Sequence, residues 1–227
     1  MLHKSHGNKS SRFGARTAVY CAGVLLLLLA AATPAQALTR GWFMGVGLAN
    51  QSLAGEIDGK TTLVGVDHTV QPGRLESGGG FSLTGGYNMD INFGLEFLIA
   101  STNHKALHTV AGAQTAKLTS STLAARIATG GRRLDLFARL GWGVRTLTYD
   151  TAATTTLPQQ SAKLTGRGGS YGVGFEHLSN NWGLEAAYNV DKVRYDHVDA
   201  GTTSGNLNPG VYASVRALLF SVNYYFR

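Results

Sequence analysis

The sequence predicts an all-β chain, an eight-stranded antiparallel up-and-down transmembrane β-barrel. Three observations predict it: eight runs in which apolar residues alternate with small or polar ones, connections that are alternately long and short, and charged residues of both signs on the less apolar face. Alternation with period two is the mark of a strand whose two faces meet different surroundings. Short turns at one end and long loops at the other are the habit of a barrel that crosses a membrane.

The runs begin after an export segment. Lys4, Lys9, Arg12 and Arg16 precede an apolar stretch from Ala18 to Ala32, followed by Thr33-Pro34-Ala35-Gln36-Ala37. A basic start, an apolar middle and small residues before a cut are the features of a cleaved signal peptide, with cleavage expected between Ala37 and Leu38. The apolar stretch is short of the roughly 20 residues a spanning helix needs. Residues 1–37 are therefore set aside from the fold, and 38–227 form the expected barrel domain. The segment takes four of the 20 basic residues and none of the 13 acidic ones, so the formal charge falls from +7 to +3. With no basic block interleaved with aromatics, nucleic acid is not an expected partner. The single cysteine, Cys21, lies in the export segment, which leaves the mature chain without thiols and without disulfide or cysteine-metal chemistry.

The eight strands follow in order. Trp42, Met44, Val46 and Leu48 form the apolar face of the first, Phe81, Leu83 and Tyr87 that of the second, and Phe93, Leu95, Phe97 and Ile99 that of the third. The fourth is the weakest, with Leu123, Ala125 and Ile127 opposite Thr122, Ala124 and Arg126. The fifth sets Leu134, Leu136, Leu140, Trp142 and Val144 against Asp135, Phe137, Arg139 and Arg145. Tyr171, Val173 and Phe175 mark the sixth, Trp182, Leu184, Tyr188 and Val190 the seventh, and Leu218, Phe220, Val222, Tyr224 and Phe226 the last. Turns are expected at Met89–Asn92, Gly130–Arg133 and Leu178–Asn181, and long external loops at about 50–78, 103–117, 150–166 and 193–211. Pro72, Pro158 and Pro209 all fall in those loops, away from ladders that need every donor.

Facing separates this barrel from a soluble one. A soluble sandwich or ligand-binding barrel turns its charges outward. Here the apolar face is almost free of charge, while Glu96, Arg126, Arg139, Arg145, Glu176 and Glu185 share the other face with glycines and small polar residues. Eight strands enclose an interior just wide enough for side chains to fill, so these six form an expected interior charge network. Trp42, Tyr87, Trp182, Tyr188, Tyr224 and Phe226 lie near strand ends, where aromatic girdles meet the membrane interface.

Three stretches resemble the OmpA-like and opacity-type small outer-membrane barrels: Gly41 to Gly47, His177 to Leu184, and Ser221 to Phe226. The resemblance covers nearly the whole mature chain. It implies a Gram-negative outer-membrane location, with membrane lipid and lipopolysaccharide, the assembly machinery and periplasmic chaperones as partners. It also implies that Phe220, Val222, Tyr224 and Phe226 act as a C-terminal assembly signal, although Arg227 follows the closing aromatic.

Candidate chemistry is sparse. His177-Leu178-Ser179-Asn180 is similar to the His and Ser of lipid A deacylases, but it falls in a turn at the wrong end of the barrel. Asp196, His197 and Asp199, with His68, His104 and His108, could ligate a metal or haem only if loops converge; a solvated loop is the simpler reading. Arg216 falls on the lipid-facing parity, where lipopolysaccharide phosphates or simple snorkelling account for it. No catalytic residue, metal or cofactor is therefore expected. The expected role is structural or surface interaction with an unidentified extracellular partner through the loops. A lipid A-modifying enzyme and a narrow gated pore are the alternatives.

Overall fold

The computed structural model describes residues 40–54, 59–63, 66–70, 74–108, 112–131, 133–151, 160–200 and 203–226. The export segment and its cleavage site at Ala37 and Leu38, with Arg227, lie outside the described residues. Among the described residues eleven strands run in chain order: β1 (Gly41–Ala54), β2 (Gly59–Leu63), β3 (Val66–Val70), β4 (Arg74–Leu75), β5 (Gly78–Asn88), β6 (Phe93–His108), β7 (Gly112–Ala128), β8 (Leu134–Thr151), β9 (Gln160–Ser179), β10 (Trp182–Ala200) and β11 (Thr203–Tyr225). Eight of them, β1 and β5 to β11, pair antiparallel with their neighbours in chain order. The ring closes where β1 pairs with β11, from Phe43 opposite Tyr225 to Ala54 opposite Ser214. Closure pairs both edges of the sheet, as hydrocarbon surroundings demand.

The outer face carries one apolar belt. Trp42 to Leu48 on β1, Leu134 to Val144 on β8, Tyr171 and Val173 on β9, Leu218 to Val222 on β11, and Phe226 just past it supply exposed apolar residues to it. Its height matches the 9–11 tilted residues needed to cross a bilayer. Trp42 packs edge to face on Tyr87, Trp182 on Tyr224, and Tyr224 on Phe226, which builds a girdle at the end of the short turns. Tyr188, expected in a girdle, sits higher on the wall between Val173 and Leu218.

The short turns are tied by side chains. Asp90 Oδ1 accepts from the amides of Asn92 and Phe93, both at 2.7 Å. Asp135 Oδ1 accepts from the amides of Gly130 and Gly131 and from the Thr129 hydroxyl. Gly130 has φ 71°, a left-handed conformation that glycine adopts without strain.

The external loops need correction. Residues 103–117 are mostly strand, since β6 runs to His108 and β7 restarts at Gly112. Residues 193–211 are also mostly strand, because β10 continues to Ala200 and β11 begins at Thr203. Residues 50–78 contain the end of β1, the β2–β3 hairpin, which touches β11 through Thr61 opposite Leu207, and β4, which lies against β6. Of 150–166, residues 152–159 lie outside the described residues, and β9 has restarted by Gln160. Pro209, placed in a loop by the sequence, lies within β11. It falls where the β10–β11 register shifts between Tyr195 and His197, so the ladder asks for no amide donor there.

These strands therefore rise well above the apolar belt, and their interior changes character as they do. Leu75, Leu118, Leu147, Leu164, Val193, Tyr195, Val198, Leu207 and Val215 all point inward and form one buried cluster at the end opposite the short turns. The outward residues beside them, Lys117, Lys163, Lys192 and Arg194, are exposed. Above the membrane the wall is apolar inside and polar outside, as in a water-soluble barrel.

Candidate functional site

Below that cluster the lumen is built in layers. All six charged residues expected in the interior are buried inside the barrel, joined by Asp135, Asp191, Asn223 and Tyr225. At the turn end, Arg126 donates to Glu176 Oε2 at 2.7 Å and lies 3.8 Å from Asp135. The Tyr225 hydroxyl lies 2.7 Å from both Glu176 oxygens, and Asn223 Nδ2 donates to Glu176 Oε1 at 2.9 Å. Glu176 can reach the centre because Gly183 on the neighbouring strand, paired with Leu178, carries no side chain, and a Cβ there would overlap the Glu176 carboxylate; Gly45 leaves the same kind of space for Asn223.

One layer up, Arg139 is clamped between two carboxylates. Its Nη2 lies 2.9 Å from Glu96 Oε1 and 2.7 Å from Glu185 Oε1, and its Nε donates to Glu96 Oε2 at 3.0 Å. The ring of Phe137 separates the two layers, with the Arg126 and Arg139 guanidinium carbons 4.2 and 4.5 Å from its centroid. Above these, Arg145 donates to Asp191 Oδ2 through Nε at 2.8 Å and Nη2 at 2.7 Å, to Thr122 at 2.7 Å, and to the carbonyls of Ser121 and Val144 at 2.9 Å. Gln51 bridges Ser120 and Thr102 across the same level.

Asp135 and Asp191 were absent from the expected network, although parity could have found both. Asp135 shares a face with Phe137 and Arg139, and Asp191 with Glu185 and Asn189. Tyr225 and Asn223 likewise follow from the inward parity of the last strand. The C-terminal Phe220, Val222, Tyr224 and Phe226 take the opposite parity and face outward.

His104 adjoins the polar layer from above the belt. Its Nδ1 lies 2.8 Å from the Glu76 carbonyl oxygen and its Nε2 2.7 Å from Thr102 Oγ1. Burial holds its pKa below the usual imidazole value, partly offset by the Glu76 hydrogen bond. A depressed imidazole stabilises the fold fully above the ordinary value of about 6.5, and that contribution is lost as the pH falls toward the lowered one. Acidification below about pH 6.5 is thus expected to loosen the Glu76 segment from β6. Hydrogen exchange at the Glu76 amide, which donates to the Lys105 carbonyl at 2.9 Å, reads this directly, and His104→Phe should remove the pH dependence.

The string His177-Leu178-Ser179 does not assemble a hydrolytic triad. His177 pairs with Leu134 and Leu184 on the outward parity, while the neighbouring Glu176 points into the lumen. Asn180, at φ 54°, forms the turn. At the end opposite the short turns His197 lies 3.2 Å from both Asp199 and Asn206, and among the described residues no group of three or more metal-ligating side chains is placed to hold an ion. His68 pairs with Thr61 in the β2–β3 hairpin, and His108 with Gly112.

The fold has well-matched relatives among solved structures. The outer membrane protein OprG from Pseudomonas aeruginosa superposes with a TM-score of 0.60 at 15% identity, covering 85% of this chain and 98% of that one. Ail, the attachment invasion locus protein of Yersinia pestis, gives 0.51 at 15% identity, covering 83% and 100%. Neisserial surface protein A gives 0.50 at 14%, covering 82% and 97%. No curated protein matches the chain by sequence. Residues 22–226 match the outer membrane protein beta-barrel domain, and the closed ring of antiparallel strands has the architecture that match requires; the chain belongs to that family of outer-membrane barrels.

Proposed function

We propose that the protein is a closed, non-conducting outer-membrane barrel whose working surface is the β-wall it raises above the outer leaflet, reached after export through residues 1–37. One observation carries this reading: the strands continue past the apolar belt around a buried apolar cluster, above a lumen already crossed by paired charges. A chain that needed only an anchor would turn soon after the belt, and a pore would leave its axis open. The reading is non-enzymatic, and its partner lies outside the cell.

Ail, which shares the fold, has been solved with the heparin analogue sucrose octasulfate, so a heparin-coated surface is the first to test. Tyr195 and Val211 face each other across β10 and β11, which allows residues 196–210 to be replaced by an Asn-Gly turn without opening the ring. Cells displaying the full protein should attach to the coated surface above the background of cells lacking it. Cells displaying the shortened barrel at equal abundance should fall to that background. Equal attachment of both would remove the raised wall as the working surface.

A further inference from the structure

The outer wall of β8 to β11 carries a groove of about 470 Å³ where the apolar belt ends, lined by Trp142, Arg167, Gly169, Lys192, Arg194 and Tyr212 among others. None of its described lining residues is acidic. Arg167 and Arg194 stand directly opposite each other on β9 and β10, and Lys192 lies one outward position below Arg194, opposite Gly169. Like charges placed directly across a ladder repel, and none of the ion pairs among the described residues involves these three. Two of the cations are already held. Lys192 Nζ donates to Ser214 Oγ at 2.7 Å, and the Arg194 guanidinium lies 5.8 Å from the Tyr212 ring centroid. The floor is open, since a Cβ on Gly169 would meet nothing within 4 Å. Trp142, exposed beside it, offers a flat apolar face.

Three cations with no carboxylate partner among the described residues, set around an empty floor at the level where hydrocarbon gives way to headgroups, match an anionic ligand with an apolar body. We infer that this groove binds a phosphorylated glycolipid of the outer leaflet, the lipid A part of lipopolysaccharide. Arg167 and Arg194 take a phosphate between them, Lys192 supplies the third charge, and Trp142 lies against the sugar or the first acyl carbons. Arginine forks suit phosphate oxygens and make charge-assisted bonds of the stronger class. The anion also relieves the arginine–arginine repulsion that the bare wall carries. The inference needs only the barrel's position in the membrane, so the attachment test above can fail without affecting it.

Trp142 reports occupancy once Trp42→Phe and Trp182→Phe leave it as the remaining tryptophan of the three. In zwitterionic micelles, bisphosphorylated lipid A should shift Trp142 emission saturably. The same lipid stripped of its phosphates should bind at least about tenfold more weakly, as expected for losing charge-assisted bonds. Inorganic phosphate alone should give no saturable change, which distinguishes a lipid site from a free-anion site. Arg167→Gln with Arg194→Gln should weaken lipid A binding by about tenfold or more. Gly169→Leu, which keeps every charge but fills the floor, should also block it. Equal binding of phosphorylated and dephosphorylated lipid, or undiminished binding by both variants, would overturn the inference.

Discussion

Replacing Arg139 by methionine is expected to destabilise the folded barrel by about 3–5 kcal/mol, the cost of removing one partner from a buried charge cluster. Arg139 holds Glu96 and Glu185 together through contacts of 2.7–3.0 Å, with all three side chains nearly excluded from solvent. Without it two carboxylates face each other across the lumen, and Asn223, 3.3 Å from Glu185 Oε2, is left to offer that layer a hydrogen bond. The substitution also removes a cation from the face of Phe137. Urea unfolding in lipid vesicles, followed by the heat-modifiable migration of the folded form, reads the loss. Adding Glu96→Gln and Glu185→Gln to Arg139→Met should recover most of it, because the penalty lies in the stranded charges rather than in the missing volume. An unchanged unfolding midpoint for Arg139→Met alone would mean that the lumen is wet and the layer unimportant.

The second large effect lies on the opposite face. Val173 stands outward in the middle of the belt, 62% exposed, with Ala138 and Tyr188 beside it. Val173→Arg places a guanidinium in hydrocarbon and is expected to cost about 2–4 kcal/mol in a bilayer. Thr165 provides the control on the same strand and the same parity, since it pairs with Thr146 and His197 above the belt. Thr165→Arg should cost no more than about 1 kcal/mol, the range found near the interface. Equal costs at both positions would place the membrane elsewhere on the wall.

Much of this barrel was legible in the sequence for a simple reason. Within the membrane the outward parity must be apolar, so Leu134, Leu136, Leu140 and Trp142 announce β8, and the opposite parity assigns Arg139 and Arg145 to the lumen. Even the faint alternation around Leu123 to Ile127 marked the fourth barrel strand, β7. What the sequence hid is the upper half. On β9, Tyr171 and Val173 are outward, whereas above them Leu164 and Ala162 are inward, with Lys163, Thr165 and Arg167 outside. β10 switches in the same way between Val190 and Val193, and β8 between Val144 and Leu147. The apolar parity inverts where lipid gives way to water, and a strand crossing that level reads as broken alternation followed by a polar stretch. Residues 103–117 and 193–211 looked like loops for this reason. The cationic groove was hidden too, since Arg167 and Arg194 become neighbours only through the β9–β10 register.

The layered lumen makes the most direct demand on experiment. Arg126 with Glu176, Arg139 with Glu96 and Glu185, and Arg145 with Asp191 cross the lumen beneath a cluster in which Leu118, Leu147 and Leu164 are wholly buried. The decisive measurement is single-channel recording from the mature barrel in planar bilayers, with insertion verified by heat-modifiable migration of the recovered protein. A sealed lumen predicts a silent membrane at every voltage the bilayer withstands. Discrete conductance steps whose number rises with the amount of inserted protein would contradict it.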